Sequence, residues 1–345
     1  MSLENLETPT PPVGVIESLT QGFETAAGHL LLLLLPLVLD LAIWVGPRIT
    51  FRPAVESLVD SYVSIWEPLS PTLTDDYQQL GRRRIALMVE FAHSRPTQYL
   101  PVWGIPSLLS GREASRLPFN FVPPTWQIAN LPAMLGARLL LVVVGLLLGG
   151  LYITLIARRV RNDGSGPRQL IARLPGIFFQ LAVFVVLAPI VLLILFLPFV
   201  LISIPLAAIP PLDQVVLWIG LLVVLWIGLF GVFTIHGMLI NDRSLPGAVL
   251  DSVRVVQWNM PATMLLFLLV IILDAALKAY VWSLPDTSTW WVLLGMGGRA
   301  FIVTGLIAAT FVFFKDRYRY WQEMREELLL ELERRRARRS RNQQQ

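Results

Sequence analysis

The sequence GIFFQLAVFVVLAPIVLLILFLPFVLISIPLAAI, residues 176–209, contains no charged side chain. Roughly 20 predominantly apolar residues cross the ~30 Å hydrocarbon core of a bilayer as a helix, so this stretch predicts a transmembrane helix. One straight helix of this length would be about 50 Å long at ~1.5 Å per residue, and we therefore expect it to tilt, kink or break. Pro189, Pro198 and Pro205 each remove a backbone donor and favour bends.

Five further apolar stretches have the length of membrane spans. Backbone groups in hydrocarbon need internal partners, and the alternating pattern of barrel strands is absent, so each stretch is expected to be helical. The sequence thus predicts an all-α fold, a polytopic membrane bundle of six transmembrane helices. The spans are expected near Leu30–Val45, Met134–Ala157, Gly176–Ile209, Val215–Ile240, Ala262–Leu284 and Trp290–Phe314.

The composition is typical of a chain that is solvated mainly by lipid. Hydrophobic residues make up 55% and charged residues 15% of the 345 residues, and the mean hydropathy is +0.63. The absence of cysteine excludes disulfides, thiolate metal sites and cysteine nucleophiles. Residues 1–27 contain four glutamates but no Lys or Arg, unlike a signal peptide, so we expect the first span to be retained.

Arginine is concentrated in alternate gaps between the spans, notably in residues 158–173 and in the C-terminal tail. The positive-inside tendency places these segments in the cytoplasm. We therefore expect a multi-pass protein of the bacterial plasma (inner) membrane with both termini cytoplasmic. The charges around the first span, with Arg48 and Arg52 after it, favour the opposite orientation. Alternatively, part of residues 95–133 re-enters the membrane, which would place the N-terminus outside.

We expect five regions along the chain: an N-terminal segment (1–28), the first span (29–50), an extracytoplasmic loop region (51–133), a five-span domain (134–314) and a charged helical tail (315–345). An interfacial helix is predicted over residues 14–27 by the helical spacing of Val13, Ile16, Leu19, Phe23 and Ala26. The same spacing predicts helices at Ala54–Trp66 and Asp75–His93 within the loop region. The Pro- and aromatic-rich remainder of that region is expected to be extended chain at the interface.

Five ionisable side chains inside the spans are the candidate site residues: Asp40, Arg138, Asp274, Lys278 and Arg299. A charge at mid-bilayer is costly, so each is expected to face the bundle, water or the interface. We expect Asp40, Asp274, Lys278 and Arg299 to share a polar cluster in the outer half of the bundle, with Arg138 near its rim. Two interpretations remain open: the charges neutralise each other and fix helix packing, or they line a functional cavity.

The tail after Phe314 keeps a helical pattern, which predicts that the last helix extends into the cytoplasm. Its basic end could hold anionic lipid headgroups, or it could be a solvated topogenic signal. Nucleic-acid binding is not expected, because no folded module accompanies the charges. The basic residues are Arg334, Arg335, Arg336, Arg338, Arg339 and Arg341.

No motif supports catalysis, and no cofactor is expected. His29, His93 and His236 are far apart in the sequence and form no H-E-x-x-H pattern, so no metal site is predicted. Nucleophile-elbow and Walker A sequences are absent. His236 falls near the cytoplasmic end of its span and is expected to be an interfacial residue.

Between Arg173 and about Leu273, two long Pro- and Leu-rich spans precede the segment SLPGAVLDSVRVVQWN, residues 244–259. This pattern resembles the membrane domain of bacterial YciC-type proteins, which is also fused to some glycerophosphodiester phosphodiesterases. The resemblance implies a multi-span bundle with an amphipathic cytoplasmic helix, here Pro246–Trp258. It brings no catalytic residues, because the phosphodiesterase domain is missing. The side chains expected to rest on the bilayer are Val249, Val253, Val256 and Trp258.

The first functional hypothesis is a non-catalytic, lipid-interacting or scaffold subunit, whose partners are the lipid bilayer, anionic headgroups or another membrane subunit. The second is a transporter or channel that uses the third span and the charge cluster. The third is an intramembrane enzyme in which Asp40 or Asp274 acts as an acid or base beside a groove open to lipid or water.

Overall fold

The computed structural model describes residues 11–69, 79, 81, 83, 85–86, 124–162, 164, 166–206, 209, 211–283 and 289–343. The chain divides into two compact units, each treated by itself below. The first unit comprises Met1–His29, Thr154–Ala276 and Thr304–Gln345, and the second comprises Leu30–Ile153 and Leu277–Val303.

Helices account for nearly all of the regular structure in the described ranges. A short 3₁₀ helix, Leu30–Leu33, precedes the second α-helix. In chain order the elements are α1 (Val15–Gly28), α2 (Leu34–Val45), β1 (Arg48–Thr50), α3 (Arg52–Leu69), β2 (Thr125–Gln127), α4 (Leu131–Arg161), α5 (Pro167–Leu206), α6 (Leu212–Phe230), α7 (Thr234–Ile240), α8 (Leu245–Trp258), α9 (Met260–Ser283) and α10 (Thr289–Gln343).

Five stretches within the described part of the chain are helical, long and apolar enough to cross a membrane. The number rises to six if Val15–Gly28 and Leu30–Val45, a bent pair separated at His29, form one broken span. The expectation of a helical, polytopic membrane bundle is confirmed at this level of helix length and composition.

The first predicted span, 29–50, is helical over only part of its length. The 12-residue helix α2 is about 18 Å long at ~1.5 Å per residue, less than the hydrocarbon core. It ends at Val45 because Gly46 precedes Pro47, and a residue before proline is disfavoured in the α conformation. The chain then continues as strand β1 instead of helix.

In the second unit, β1 and β2 form a two-stranded parallel sheet in which Ile49 lies opposite Trp126. The sequence predicted extended chain around Trp126 but not this pairing. Helix α3 confirms the predicted helix at Ala54–Trp66, and its residue Val55 packs against Met134 of α4. The predicted helix at Asp75–His93 lies largely outside the described residues, as does most of residues 95–133, the segment that re-enters the membrane in the alternative arrangement.

In the first unit, α5 and α6 pack together as a hairpin. Helix α5 is continuous over 40 residues despite four internal prolines, so of the expected tilt, kink or break, the break does not occur within it. Gly220 of α6 accommodates the ring of Phe199, which lets the two helices approach closely. None of the most apolar window of α5 is buried, which leaves this helix free to contact lipid.

The fourth predicted span is also not one helix. Helix α6 ends at Phe230, residues 231–233 form turns, and α7 begins at Thr234. Phe233 at this interruption is fully buried in the core of the first unit, where it packs with Phe313 and Phe314 of α10. The last span and the tail form one helix of 55 residues, as the tail pattern predicted.

Two amphipathic helices depart from their predicted apolar faces at individual residues. The amphipathic segment at 246–258 is helical, but Val256 is buried in the core and does not rest on the bilayer. In α1 the buried residues are Val15, Ser18, Gly22 and Ala26, whereas Ile16 is 74% exposed. Gly22 lies directly against Ala309, so α1 packs closely on α10.

Candidate functional site

The residues of the predicted intramembrane cluster fall in both compact units. Asp40 and Arg299 belong to the second unit and are buried, with 1% and 8% of their surface exposed. Arg138 is exposed, and Asp274, in the first unit, is half-buried. The side chain of Lys278 lies outside the described residues. A shared cluster of these residues therefore stays a prediction.

Asp40 and Arg299 lie on helices that pack together within the second unit. Trp44, one turn after Asp40 in α2, packs with Met296, which lies three residues before Arg299 in α10. Buried ionised groups are stable only where they are paired or hydrogen-bonded. The contact between α2 and α10 is therefore the place where the predicted acid and base could act together.

The basic run at the end of the tail is helical. Arg335 and Arg336 are exposed, and Arg335 Nη2 lies 3.7 Å from Glu331 Oε2. An exposed ion pair of this kind adds little stability. The guanidinium groups of Arg335 and Arg336 are therefore accessible to headgroups at a membrane surface. The side chains of Arg334, Arg338, Arg339 and Arg341 lie outside the described residues.

A cavity of about 550 Å³ opens in the first unit between α1, the end of α4 and α10. It lies where both long helices change from apolar to charged residues, after Ala157 in α4 and after Phe314 in α10. The charged residues that line it are Glu17 and Glu24 of α1, Arg159 of α4, and Lys315, Asp316 and Arg319 of α10.

Close packing of α1 on α10 forms one wall of this cavity. Gly22 lies against the backbone of Ala309, and the ring of Phe23 lies over Gly305. The backbone N–H of Val13 also donates a hydrogen bond of 2.7 Å to Asp316 Oδ2. The glutamates of α1 are therefore held beside the charged part of α10.

The cavity has an acidic side on α1 and a basic side on α4 and α10. Asp316 is an acidic residue on the basic side, but its carboxylate already accepts hydrogen bonds from the N–H of Val13 and, at 2.8 Å, from Arg319 Nη2. It therefore does not alter this division. Lys315 Nζ donates to the carbonyl of Val160 at 2.7 Å, which joins α10 to α4. A ligand with separated positive and negative groups could contact both sides at once.

A second polar group lies where α8 packs in the first unit, around the buried carboxylate of Asp251. The carboxylate oxygens of Asp251 lie 3.2 Å from Arg254 Nη1, 3.4 Å from Asn241 Nδ2 and 3.5 Å from Arg243 Nε. Arg243 also donates to the hydroxyl of Tyr318 at 3.4 Å. This hydrogen bond and the charge of Asp251 raise the pKa of Arg243. The group neutralises a buried charge and ties α8 to α10.

Ser252 stabilises the interruption of the fourth span. Its hydroxyl donates to the carbonyl of Phe230 at 2.6 Å and accepts from the N–H of Phe233 at 3.0 Å. Two backbone groups that the turn removes from the helical pattern thus have partners. Irregular backbone at membrane depth is tolerated where protein satisfies it in this way.

His236 is half-buried in the first unit, where it packs against α10, and its expected position at the membrane interface stays a prediction. Its Nε2 lies 2.8 Å from Thr310 Oγ1, and its ring centroid is 4.2 Å from that of Phe311. The only hydroxyl proton of Thr310 is donated to the carbonyl of Ile307 at 2.7 Å. His236 Nε2 is therefore the donor in the bond to Thr310.

Arginines that indicated the cytoplasmic side also stabilise the fold. Arg161 Nη1 lies 3.1 Å from both the carbonyl of Leu239 and the carboxylate of Asp242. Arg173 reaches the same carboxylate at 3.3 Å. These contacts join the end of α4, the start of α5 and the end of α7.

The sequence reasoning missed the cavity, although one signal for it was present. Glu17, Gln21 and Glu24 follow helical spacing and form a polar edge of α1. That spacing shows a common face but not what lies opposite it. The basic partners come from residues about 135 and 295 positions later in the chain, which no local pattern connects to α1.

No protein-family model, curated protein or solved structure matches this chain. Within the described ranges, no group of three or more His, Asp or Glu side chains is placed to hold a metal ion. The resemblance of residues 173–273 to the YciC-type membrane domain stays a prediction. The cavity between α1, α4 and α10 is therefore the candidate functional site of the described part of the chain.

Proposed function

We propose that this chain is a non-catalytic, lipid-interacting protein of a bacterial plasma membrane, and that the cavity between α1, α4 and α10 binds a lipid headgroup. The observation that carries the proposal is the position of this cavity, at the level where α4 and α10 change from apolar to charged residues. A lipid bound there would have its headgroup among the charges and its acyl chains beside the apolar parts of the helices.

The rest of the first unit supports this proposal. The most apolar window of α5 is unburied, and only 6% of the window in Leu212–Ile240 is buried. Unburied apolar helix surfaces of this kind are stable in contact with the hydrocarbon core of a bilayer. An amphipathic helix beside a multi-span bundle, here α8, is also what the resemblance of residues 173–273 implies. The arginines of residues 158–173 favour a cytoplasmic position for this end, by the positive-inside tendency.

The proposal is tested by filling the cavity. The full-length protein is purified in a mild detergent, and the lipids that it retains are identified by native mass spectrometry. Gln21→Trp places a large side chain in the cavity, whereas Thr20→Trp places the same side chain on the exposed face of α1. We expect retained lipid in the wild type and in Thr20→Trp, and its loss in Gln21→Trp. Equal retention in all three proteins would contradict the proposal.

A transporter or channel is the second candidate, and the burial of Asp40 and Arg299 inside the second unit favours it. Ionisable groups within spans often mark ion or substrate pathways. This candidate predicts ion or proton flux in proteoliposomes that disappears in Asp40→Asn but not in Asp60→Asn, which changes an exposed carboxylate of α3. If the wild-type protein gave no flux in proteoliposomes, the transporter or channel candidate would be contradicted.

A further inference from the structure

Two charges in the cavity are available for a ligand, Glu24 on the acidic side and Arg159 on the basic side. Both are exposed, and neither side chain forms a hydrogen bond or an ion pair with any residue in the described part of the chain. They also do not pair with each other, although they line the same cavity and have opposite charge.

The other charged groups of the cavity already have partners. Glu17 Oε1 accepts a hydrogen bond of 3.0 Å from Gln21 Nε2. Asp316 is bonded to Val13 and Arg319, and Lys315 is bonded to the carbonyl of Val160. Among the charged residues that line the cavity, Glu24 and Arg159 are thus the two whose side-chain polar atoms are all available to a ligand.

We infer that the cavity selects lipids whose headgroup carries both a primary amine and a phosphate, as phosphoethanolamine does. The inference rests on the proposed function and names its ligand class. The ammonium group would donate hydrogen bonds to the carboxylate of Glu24, and the phosphate would accept them from the guanidinium of Arg159. Charge-assisted bonds of this kind are stronger than neutral ones, and guanidinium matches phosphate in shape.

Headgroup chemistry makes this inference selective. A primary ammonium group has three N–H donors, whereas the quaternary ammonium of phosphocholine has none. A glycerol headgroup carries no positive charge and would leave Glu24 facing a net anion. Both alternatives keep the phosphate, so they differ from phosphoethanolamine mainly at Glu24.

The test compares three short-chain lipids with dihexanoyl tails: phosphatidylethanolamine, phosphatidylcholine and phosphatidylglycerol. Each is titrated into delipidated full-length protein in detergent, and binding is measured by calorimetry. We expect the ethanolamine lipid to bind about tenfold more tightly than the other two, as one additional charge-assisted hydrogen bond would give. Glu24→Gln should remove this preference, and Arg159→Gln should weaken binding of all three lipids.

Matched controls remove one charge of each sign outside the cavity. Glu326→Gln changes an exposed carboxylate of the tail, and Arg168→Gln changes an exposed guanidinium of α5. Both variants should keep the wild-type affinities and the wild-type preference. Circular dichroism of each variant verifies that the helices are intact.

Failure of this inference differs from failure of the proposed function. Equal binding of the ethanolamine and choline lipids, or a preference that persists in Glu24→Gln, would overturn the inference while lipid binding at the cavity stands. Binding of all three lipids that is unchanged in Gln21→Trp would overturn both. Soluble glycerophosphoethanolamine, tested separately, should bind more weakly than the dihexanoyl lipid. Equal affinity would exclude a membrane lipid as the preferred ligand.

Discussion

Gly22 of α1 lies directly against Ala309 of α10, and a Cβ atom added at Gly22 would be only 2.6 Å from the Cα of Ala309. The obstacle is backbone, which cannot rotate away as a side chain can. Glycine therefore permits the close approach of the two helices, as small residues commonly do in membrane proteins. Because Glu17 and Glu24 lie on the same helix, this contact also positions the acidic side of the cavity.

Gly22→Ala should force α1 away from α10. We expect a loss of about 1–3 kcal/mol in the free energy of unfolding, typical of an overpacked contact, together with weaker lipid retention. Thermal unfolding in detergent measures the first effect. Gly28→Ala is the matched control, because a Cβ atom at Gly28 meets nothing within 4 Å. The same unfolding temperature for both variants would show that the α1 contact is not tight.

The hydrogen bond from His236 to Thr310 joins α7 to α10 and can be measured by a double-mutant cycle. His236→Phe keeps a ring beside Phe311, and Thr310→Val keeps the shape of the threonine. We expect each change to destabilise the protein and the pair to show a coupling of about 0.5–1 kcal/mol, as for hydrogen bonds within membrane proteins.

The control cycle combines His236→Phe with Thr20→Val. Thr20 is exposed on α1, and its hydroxyl bonds only to the backbone of its own helix, at Ile16. Those two changes should be additive. A coupling of equal size in both cycles would mean that the value for His236 and Thr310 does not report their hydrogen bond.

The side chain of Asp251 is 2% exposed and forms ion pairs with Arg243 and Arg254. These two arginines keep about half of their side-chain surface in contact with solvent. Asp251→Asn should destabilise the protein by about 1–3 kcal/mol, less than for a fully buried pair, because solvent screens the two arginines. Denaturant unfolding followed by circular dichroism measures the loss. Asp60→Asn, at an exposed position of α3, should be neutral. A neutral Asp251→Asn would show that the buried charge contributes no stability.

The spans were predictable because their signal is local. A run such as residues 176–209 excludes water by composition alone, and the helix follows from the need to satisfy the backbone in hydrocarbon. The ends of the helices were less predictable. The interruption after Phe230 depends on Ser252, which lies about 20 residues later in α8 and supplies the missing hydrogen bonds.

The candidate site was less predictable than the spans, since it depends on which helices are neighbours. The edge formed by Glu17 and Glu24 was visible in the sequence, but Arg159 is distant in the chain and meets them only in the folded first unit. The face of α1 was misjudged for the same reason. Apolar spacing selected Ile16, which is exposed, whereas packing on Ala309 selects glycine at position 22.

The hydrogen bond between Val13 and Asp316 has a consequence for topology. Val13 precedes every candidate span, and Asp316 follows the apolar part of the last one. The chain between them must therefore cross the membrane an even number of times. The described part of the chain has five long apolar helices, an odd number, so we expect the bent segment that includes Leu30–Val45 to supply a sixth crossing.

Single cysteines test this topology without background labelling, because the chain contains no native cysteine. Gly164→Cys and Asp213→Cys lie on either side of α5, which we expect to cross the membrane once. We expect a membrane-impermeant maleimide to label Asp213→Cys in intact spheroplasts, and Gly164→Cys only in inside-out vesicles. Gly14→Cys and Gln343→Cys should follow Gly164→Cys, since both termini are expected to be cytoplasmic. Labelling of Gly14→Cys and Gln343→Cys from opposite sides would require an odd number of crossings and would contradict the arrangement of α1 against α10.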